Sequence, residues 1–477
     1  MRNNRNYGTG KGLTATMTDV LQAIAAVVGD NNVLTGDDVS SRPANWGRPE
    51  PGQAKAIIRP ASTAEVSAVM KICHDAGQKV VPYGGNTGLV QGATAGPDEI
   101  IVTTERMNAI EGVDIAGSTM TVQAGVQLQK AQERSEQHDL YFPLDFPARG
   151  SATIGGVIST NAGGNAVIRY GMTREQILGL EVVLADGTVL TSMNNMLKNN
   201  AGYDLKQLFI GTEGTLGIVT RAVLRLRPEL KSQNTALLAL DDFDKIPDLL
   251  RHAGAALGGT LNAFEVLWDN FYDRILDTNH KHTAPVAPDY PFYVLLESRG
   301  GNQEADTERF QQALEEAFEK ELIVDASIAS NSNQRNAMWA IRDDIESLIE
   351  AMSPPVVFDV SVPISDANTY VQNVLEKVQA RWPGVSKVAV FGHLGDSNIH
   401  FVVTIGNHEP EQVAELMKTV YTELLPFGGS VSAEHGIGLE KRAFLGITRT
   451  DTEIKLMKSL KATLDPKGIL NAGKIFA

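Results

Sequence analysis

A single cysteine, Cys73, in a chain of 477 residues excludes an internal disulfide and any cysteine-ligated metal cluster, and fits a reducing compartment. No apolar run approaches the length of a bilayer span. No basic block interrupts a formal net charge of −15, which argues against nucleic acid or an anionic membrane surface as partner. A small anion must therefore find a local positive site. Neither G-x-G-x-x-G nor G-x-x-x-x-G-K-[ST] occurs, so the usual sequence support for a Rossmann or P-loop nucleotide site is missing. Internal repeats and low-complexity tracts are absent too. The first sixteen residues are basic and free of acids, yet lack both the apolar core of a secretory signal and the arginine and serine enrichment of an organellar one. They read as a disordered or appended tail, with Met17 as the native start. The expected location is cytoplasmic, at most peripheral to an inner membrane, or mitochondrial if that stretch is a transit peptide.

With 43% hydrophobic and 21% charged residues, the chain can build two or three cores. Its distinctive resource is glycine. Residues 79–93, KVVPYGGNTGLVQGA, run from an apolar strand into a loop with glycine at 84, 85, 88 and 92 and no charged side chain, the makings of a backbone cradle for phosphate. Before it, 55–58 reads as a strand, Ser62 and Glu65 as a capping box, and 63–76 as a helix, giving a βαβ crossover. A helix is expected at 18–28, followed by a polar loop containing Trp46. Strands are expected at 100–103 and 120–123 and a helix at 127–137. Residues 150–171 hold six glycines and read as a second ligand wall rather than a helix. Residues 180–191 form a hairpin about Asp186-Gly187. Glycine loops at Gly84, Gly155 and Gly211 together imply a long ligand lying against backbone. Past residue 229 glycine thins, helices are expected at 307–320 and 332–350, and strands at 292–296 and 356–362, which describes an α+β unit resting on the first.

Two motif clusters carry chemistry. In G-H-L-G-D-S-N-I-H, a two-residue turn centred on Asp396-Ser397 would pair position 393 with 400 and set two imidazoles side by side, Cβ atoms about 5 Å apart, where they could share a metal ion. The alternative is two structural histidines flanking a turn. Glu434 and His435, in S-A-E-H-G, point opposite ways in an extended segment, so one can be a ligand and the other a base. Two histidines and one carboxylate leave a metal an open position. The histidines at 74, 138, 252, 280, 282 and 408 have no evident partners and read as solvated or structural.

P-Y-G-G-N-T-G-L-V, I-G-G with N-A-G-G, G-L-E-V-V-L-A-D-G, L-F-I-G-T-E-G-T-L-G-I-V-T, G-H-L-G-D-S-N-I-H, S-A-E-H-G-I-G and L-D-P-K-G-I-L-N resemble the FAD-dependent D-2-hydroxyacid dehydrogenases. These are vanillyl-alcohol oxidase type flavoproteins that include D-lactate and D-2-hydroxyglutarate dehydrogenases and the flavin subunit of glycolate oxidase. The resemblance spans about residues 55–475. It implies an α+β fold with a two-subdomain FAD-binding domain (17–228), a substrate or cap domain with the metal-binding hairpin (229–425) and a closing C-terminal segment (426–477). By the same resemblance, Pro82, Tyr83, Gly84, Gly85, Asn86, Thr87, Gly88 and Leu89 cradle the FAD pyrophosphate. Gly155, Gly156, Asn161, Gly163, Gly164, Glu213, Gly214, Gly217 and Ile218 line the adenosine and flavin, and Asn471 approaches the flavin ring. His393, His400 and Glu434 match the ligands of a divalent metal, usually zinc, His435 the proposed base, and Arg342 the arginine that holds the substrate carboxylate. Asn86 stands where some relatives carry a flavin-linked histidine, so FAD is expected to bind noncovalently.

The implied reaction is oxidation of a D-2-hydroxyacid to the 2-oxoacid, with hydride transfer to flavin N5. Electrons would pass on to a quinone, an electron-transfer flavoprotein or a cytochrome, and a homodimer is compatible. The implied pocket contains Trp339, Arg342, Glu346, Val357, Asn398 and Val402. Positions 346, 357 and 402 depart from the threonine, lysine and asparagine that hold the distal carboxylate in D-2-hydroxyglutarate enzymes. An apolar substrate such as D-lactate, D-2-hydroxybutyrate or D-mandelate is therefore expected. D-2-hydroxyglutarate, a role as flavin subunit of a larger glycolate or lactate oxidase, and a flavin-free metal hydrolase are the alternatives.

Overall fold

The computed structural model describes residues 17–45, 48–278 and 280–476; the expected tail and Trp46 lie outside them. The strand Ala56–Ile58 is buried throughout, and Ser62 Oγ accepts from Glu65 N at 3.2 Å to open the helix Thr63–Ala76. The Glu65 carboxylate reaches back to Ala61 N, one residue beyond the Ser62 N that a capping box requires. Gly77, at φ +67°, ends the helix in the left-handed region. The crossover forms, but its two strands are not neighbours. Ala56–Ile58 and Val80–Tyr83 both pair in parallel with Ile100–Thr103, which lies between them, and Val33–Leu34 closes the outer edge of this four-stranded sheet. Val20, Ile24 and Val28 of the helix Met17–Val28 share one apolar cluster with Val66, Val69 and Met70.

A five-stranded antiparallel sheet follows, ordered Val189–Ser192, Ile177–Val183, Ile218–Arg225, Thr119–Gln123 and Ile110–Asp114. The hairpin turns as expected, with Gly187 at φ +88° donating to Leu184 O. The expectation of no helix within 150–171 is corrected: Ile154–Thr160 is an α-helix, capped by Thr153 Oγ1 on Gly156 N. A Cβ on Gly155 would lie 2.8 Å from that of Ala124, so the glycine lets helix and strand segment close together. Close approach was the right inference from glycine; irregular backbone was not.

The third sheet has seven antiparallel strands in the order Asp325–Ile328, Ser232–Leu240, Phe292–Gly300, Leu261–Trp268, Lys387–Gly392, Asn398–Thr404 and Val356–Ser361. Helices cover both faces, so these strands are apolar on both sides rather than alternating. Lys245–Ala256, Gln303–Glu319, Ala367–Arg381 and Pro410–Thr422 cover one face. Asp269–Asp277, Ser332–Asp343 and Ile345–Ala351 cover the other. The single helix expected over 332–350 is two, because the Asp344 carboxylate accepts from Ser347 N at 3.3 Å and caps a new helix. His282, read as unpartnered, lies 2.9 Å from Asp344, and His252 lies 2.8 Å from Ala313 O; both are structural, as expected. Among the described residues no helix is long and apolar enough to cross a membrane.

After the helix Asp451–Leu464 the chain returns to the first sheet, where Val80 N donates to Ile469 O and Asn471 N to Val80 O. Buried Asp465 fixes this return by accepting from Lys461 Nζ at 2.6 Å, Ile469 N at 3.1 Å and Leu470 N at 2.8 Å. Asp465→Ala strands the Lys461 cation and two peptide donors, a cost of about 3 kcal/mol for a broken buried pair. The midpoint of thermal unfolding should fall by several degrees, and an unchanged midpoint would show that the terminal segment docks without the carboxylate.

Candidate active site

The hairpin that carries the two histidines does not have the register its spacing suggested. His400 is opposite Phe391, not His393, because a short 3₁₀ turn, Leu394–Asp396, lengthens the connection and Ser397 takes φ +76°. A slip of two positions preserves the face. His393 therefore still meets His400, with ring centroids 5.5 Å apart at 83°. Glu434 arrives from the C-terminal segment with Oε2 4.0 Å from His400 Nε2, and one donor atom from each of His393, His400 and Glu434 lies within 4.8 Å of the others. The His435 ring lies 6.1 Å from that of His400, centroid to centroid, at 22°. Two imidazoles and one carboxylate are a donor set suited to a zinc-like ion with coordination positions to spare.

Two buried carboxylates that the sequence reading missed organise these groups. Glu265, on Leu261–Trp268, accepts from Arg342 Nε at 2.8 Å and from His393 Nδ1 at 2.7 Å. Asp359, on Val356–Ser361, accepts from Glu434 N at 3.0 Å, His435 N at 2.9 Å and Ser432 Oγ at 3.2 Å, with Lys441 Nζ 3.6 Å away. Its Oδ2 thus anchors the Glu434–His435 loop, while Oδ1 has no hydrogen-bond partner and lies 4.0 Å from His400 Nδ1, and the carboxylate forms with Glu434 and His435 a second group whose donor atoms lie within 4.8 Å of one another. Each is a lone acid inside an apolar strand, F-E-V and F-D-V, a pattern that announces a buried charge in need of partners.

The surroundings set the charge states. Burial pushes His400 well below the ordinary imidazole value, only partly opposed by Asp359, and lowers His435 in the same way. Both are neutral at neutral pH, as a ligand or a base must be. Burial also opposes charge on His393, but the Glu265 carboxylate outweighs it and raises this imidazole to about 9. Arg342 Nη2, 3.1 Å from His393 Nε2, can only donate, so Nε2 presents its lone pair there and the raised value reflects the pull of Glu265. Burial raises the Glu434 carboxyl.

Backbone from the first two sheets closes on the same point. A Cβ on Gly163 would overlap Glu434 Oε1, so N-A-G-G lies directly against the Glu434 carboxylate. Gly164 abuts Asp145 O, Gly156 faces Thr153, and Asn161 at φ +53° accepts from Arg174 N. Gly84 and Gly85 press on Thr153 and Ser151 and so join the two sheets, whereas Gly88 has open space around it. Gly214 packs on Pro82; Gly217, against Val182 and Phe209, and buried Ile218 shape the wall from behind. The Glu213 carboxylate caps Ile437 N and Gly438 N rather than facing outward. Asn471 donates to Gly92 O and Glu213 O, leaving buried Oδ1 without a partner, and Asn86 Oδ1 is likewise unpaired. A continuous strip of backbone punctuated by unpaired buried amide oxygens fits an extended polar ligand such as FAD.

The remaining pocket residues divide. Asn398 is 3% exposed with neither side-chain polar atom partnered. Trp339 donates Nε1 to buried Glu297 at 2.8 Å. Val357 and Val402 pair directly, one row along from Asp359 and His400, while Glu346 is exposed.

Residues 54–192 match the FAD binding domain and residues 229–475 match FAD linked oxidases, C-terminal domain. The mitochondrial D-2-hydroxyglutarate dehydrogenase of Danio rerio is 36% identical over 455 residues, covering 95% of this chain and 84% of that one. A D-2-hydroxyglutarate–pyruvate transhydrogenase of Saccharomyces cerevisiae is 34% identical over 450 residues, covering 93% and 90%. Alkyldihydroxyacetonephosphate synthase shares the fold with a TM-score of 0.75 at 16% identity, covering 96% of this chain and 86% of that one. 4-Ethylphenol oxidase from Gulosibacter chungangensis does so with 0.72 at 16%, covering 96% and 97%. The FAD-binding domain sets aside the flavin-free hydrolase reading. The cytoplasmic location expected from the sequence has no support among these relatives, the Danio rerio protein being named mitochondrial. With two domain matches, full-length relatives and an α+β fold of vanillyl-alcohol oxidase type, the chain belongs to the FAD-linked oxidases, the family that includes the FAD-dependent D-2-hydroxyacid dehydrogenases.

Proposed function

We propose that this flavoenzyme oxidises a D-2-hydroxyacid with an apolar side chain, such as D-lactate, D-2-hydroxybutyrate or D-mandelate, to the 2-oxoacid. The observation that carries the reading is the convergence of Arg342, His393, His400, Glu434 and His435 beside the glycine wall at Gly163. Residues 17–228 would hold FAD, 229–425 would form the substrate domain and 426–477 would close the site. Arg342 grips the substrate carboxylate through its terminal nitrogens, which Glu265 does not engage. His435, neutral and held at its backbone by Asp359, takes the hydroxyl proton as the C2–H bond gives up its hydrogen and electron pair and C=O forms. Bound FAD supplies the acceptor for that hydride. A divalent ion, most reasonably zinc, on His393, His400 and Glu434 would supply Lewis acidity. The reduced protein would pass electrons to a quinone, an electron-transfer flavoprotein or a cytochrome.

The apolar preference rests on the Val357–Val402 row beside His400, which offers a distal carboxylate no donor side chain. The names of the relatives favour a second reading, D-2-hydroxyglutarate. Anaerobic bleaching of the flavin by a panel of D-hydroxyacids decides between them.

His435→Asn should leave a yellow protein of wild-type metal content whose turnover is down by about 10²-fold or more; normal turnover would remove His435 from the mechanism. Removing metal with a chelator should abolish bleaching by substrate and readdition should restore it, while an undiminished rate would exclude the ion from the reaction. Val357→Lys should raise the ratio of kcat/KM for D-2-hydroxyglutarate over D-lactate by tenfold or more, on the order of one charge-assisted hydrogen bond. A constant ratio would place the specificity elsewhere.

A further inference from the structure

Glu265 stands between the two tasks of the site. It is 1% exposed on the strand Leu261–Trp268, and each oxygen serves a different partner, Oε2 accepting from Arg342 Nε at 2.8 Å and Oε1 from His393 Nδ1 at 2.7 Å. A planar carboxylate shared in this way fixes the angle of both side chains. For Arg342 the bond uses Nε, which turns the terminal nitrogens away from Glu265, Nη2 to 3.1 Å from His393 Nε2 and Nη1 to 3.6 Å from Asp343 Oδ1. Phe391 limits the remaining freedom, its ring centre 5.1 Å from the guanidinium carbon. For His393 the bond holds a proton on Nδ1 and so leaves the lone pair on Nε2, the nitrogen facing Arg342 Nη2 and the rest of the site.

We infer that Glu265 is a positioning residue that sets metal affinity and substrate-carboxylate affinity together, by aiming His393 and Arg342 from one carboxylate. This rests on the reading of His393 as a ligand and of Arg342 as the holder of the substrate carboxylate. A role confined to neutralising a buried arginine makes a different prediction: Arg342 would suffer on substitution and metal binding would not. The neighbouring strand supplies an internal comparison. Glu297, also buried, accepts from Trp339 Nε1, Gln233 Nε2, Thr235 Oγ1 and Asn262 Nδ2 and touches neither His393 nor Arg342.

The test uses the FAD-loaded full chain. Glutamine keeps the shape of Glu265, but its amide nitrogen cannot accept, so Glu265→Gln can serve only one of the two partners. Zinc affinity, measured by competition with a chromophoric chelator, should weaken by about 10–100-fold. KM for the preferred D-hydroxyacid, measured at saturating zinc, should rise by about tenfold or more. Glu265→Asp keeps the charge with less reach and should fall between wild type and Glu265→Gln in both quantities. It carries the test should the glutamine variant lose the flavin spectrum or the wild-type melting midpoint. Glu297→Gln should leave zinc affinity unchanged. A folded Glu265 variant with wild-type zinc affinity, or an equal loss of affinity in Glu297→Gln, overturns the inference. The wild-type enzyme separates this from the functional reading: turnover that survives metal removal overturns that reading, whereas a metal-dependent wild type beside a Glu265→Gln protein of unchanged zinc affinity overturns only the role of Glu265.

Discussion

Burying a carboxylate is costly unless donors meet it, and of the carboxylates that this chain buries on one face of the seven-stranded sheet, two stand at the site. Glu265 obtains its donors from Arg342 and His393, and Asp359 from Ser432, the Glu434 and His435 peptides and Lys441. The arrangement of the site follows from those requirements. Arg342 has to approach the strand that carries Glu265, which holds the helix Ser332–Asp343 across the sheet. The loop with Glu434 and His435 has to thread its N–H groups past Asp359. The peptide between these residues is then fixed, and, contrary to the opposite orientations expected from an extended segment, both side chains reach one cluster: Glu434 meets His393 and His400, and a donor atom of His435 lies within 4.8 Å of Glu434 and Asp359.

Those carboxylates order only half of the site. The other half depends on backbones approaching more closely than any side chain permits. Gly163 lies against Glu434, Gly436 against Glu213 and Gly438 against Val90, joining residues far apart in the chain. Glu213 reinforces the junction by capping Ile437 N and Gly438 N, and Asn471 does the same from the terminus by donating to Gly92 O and Glu213 O. Asn86, Glu213 and Asn471 hold positive φ here, at 53°, 52° and 46°. The glycine wall and the His393–His400–Glu434 cluster therefore share one set of contacts, and a change in one is felt by the other.

Much of this was legible in the sequence because it is local. The Ser62 cap, the Asp186-Gly187 hairpin and the face shared by His393 and His400 all follow from spacings shorter than a dozen residues. The hairpin register was misjudged because turn length is not fixed by its sequence, yet the error did no harm, since side chains repeat every two positions. The helix Ile154–Thr160 was misjudged because glycine content says that something lies close without saying what. The partners of Glu265 escaped for a different reason: Arg342 and His393 are 77 and 128 residues away, and nothing in local periodicity connects them. An acid alone in an apolar strand is nevertheless a readable signal.

Specificity has to be imposed where the anchored groups end. On the proposed reading, Arg342 and the histidines hold the carboxylate and hydroxyl that every 2-hydroxyacid has in common, so selection falls on whatever meets the rest of the molecule. Along the sheet the next row is Val357 and Val402, paired across the strands one step from Asp359 and His400. Val402 is fully buried among Phe391, Leu348 and Met352, while Val357 is 38% exposed, so Val357 is the member of the pair that can touch a ligand. A methyl or phenyl group meeting it loses no hydrogen bond. A second carboxylate there would meet a wall with no donor side chain, at a cost of several kcal/mol once bound substrate excludes water, and that difference sets the preference.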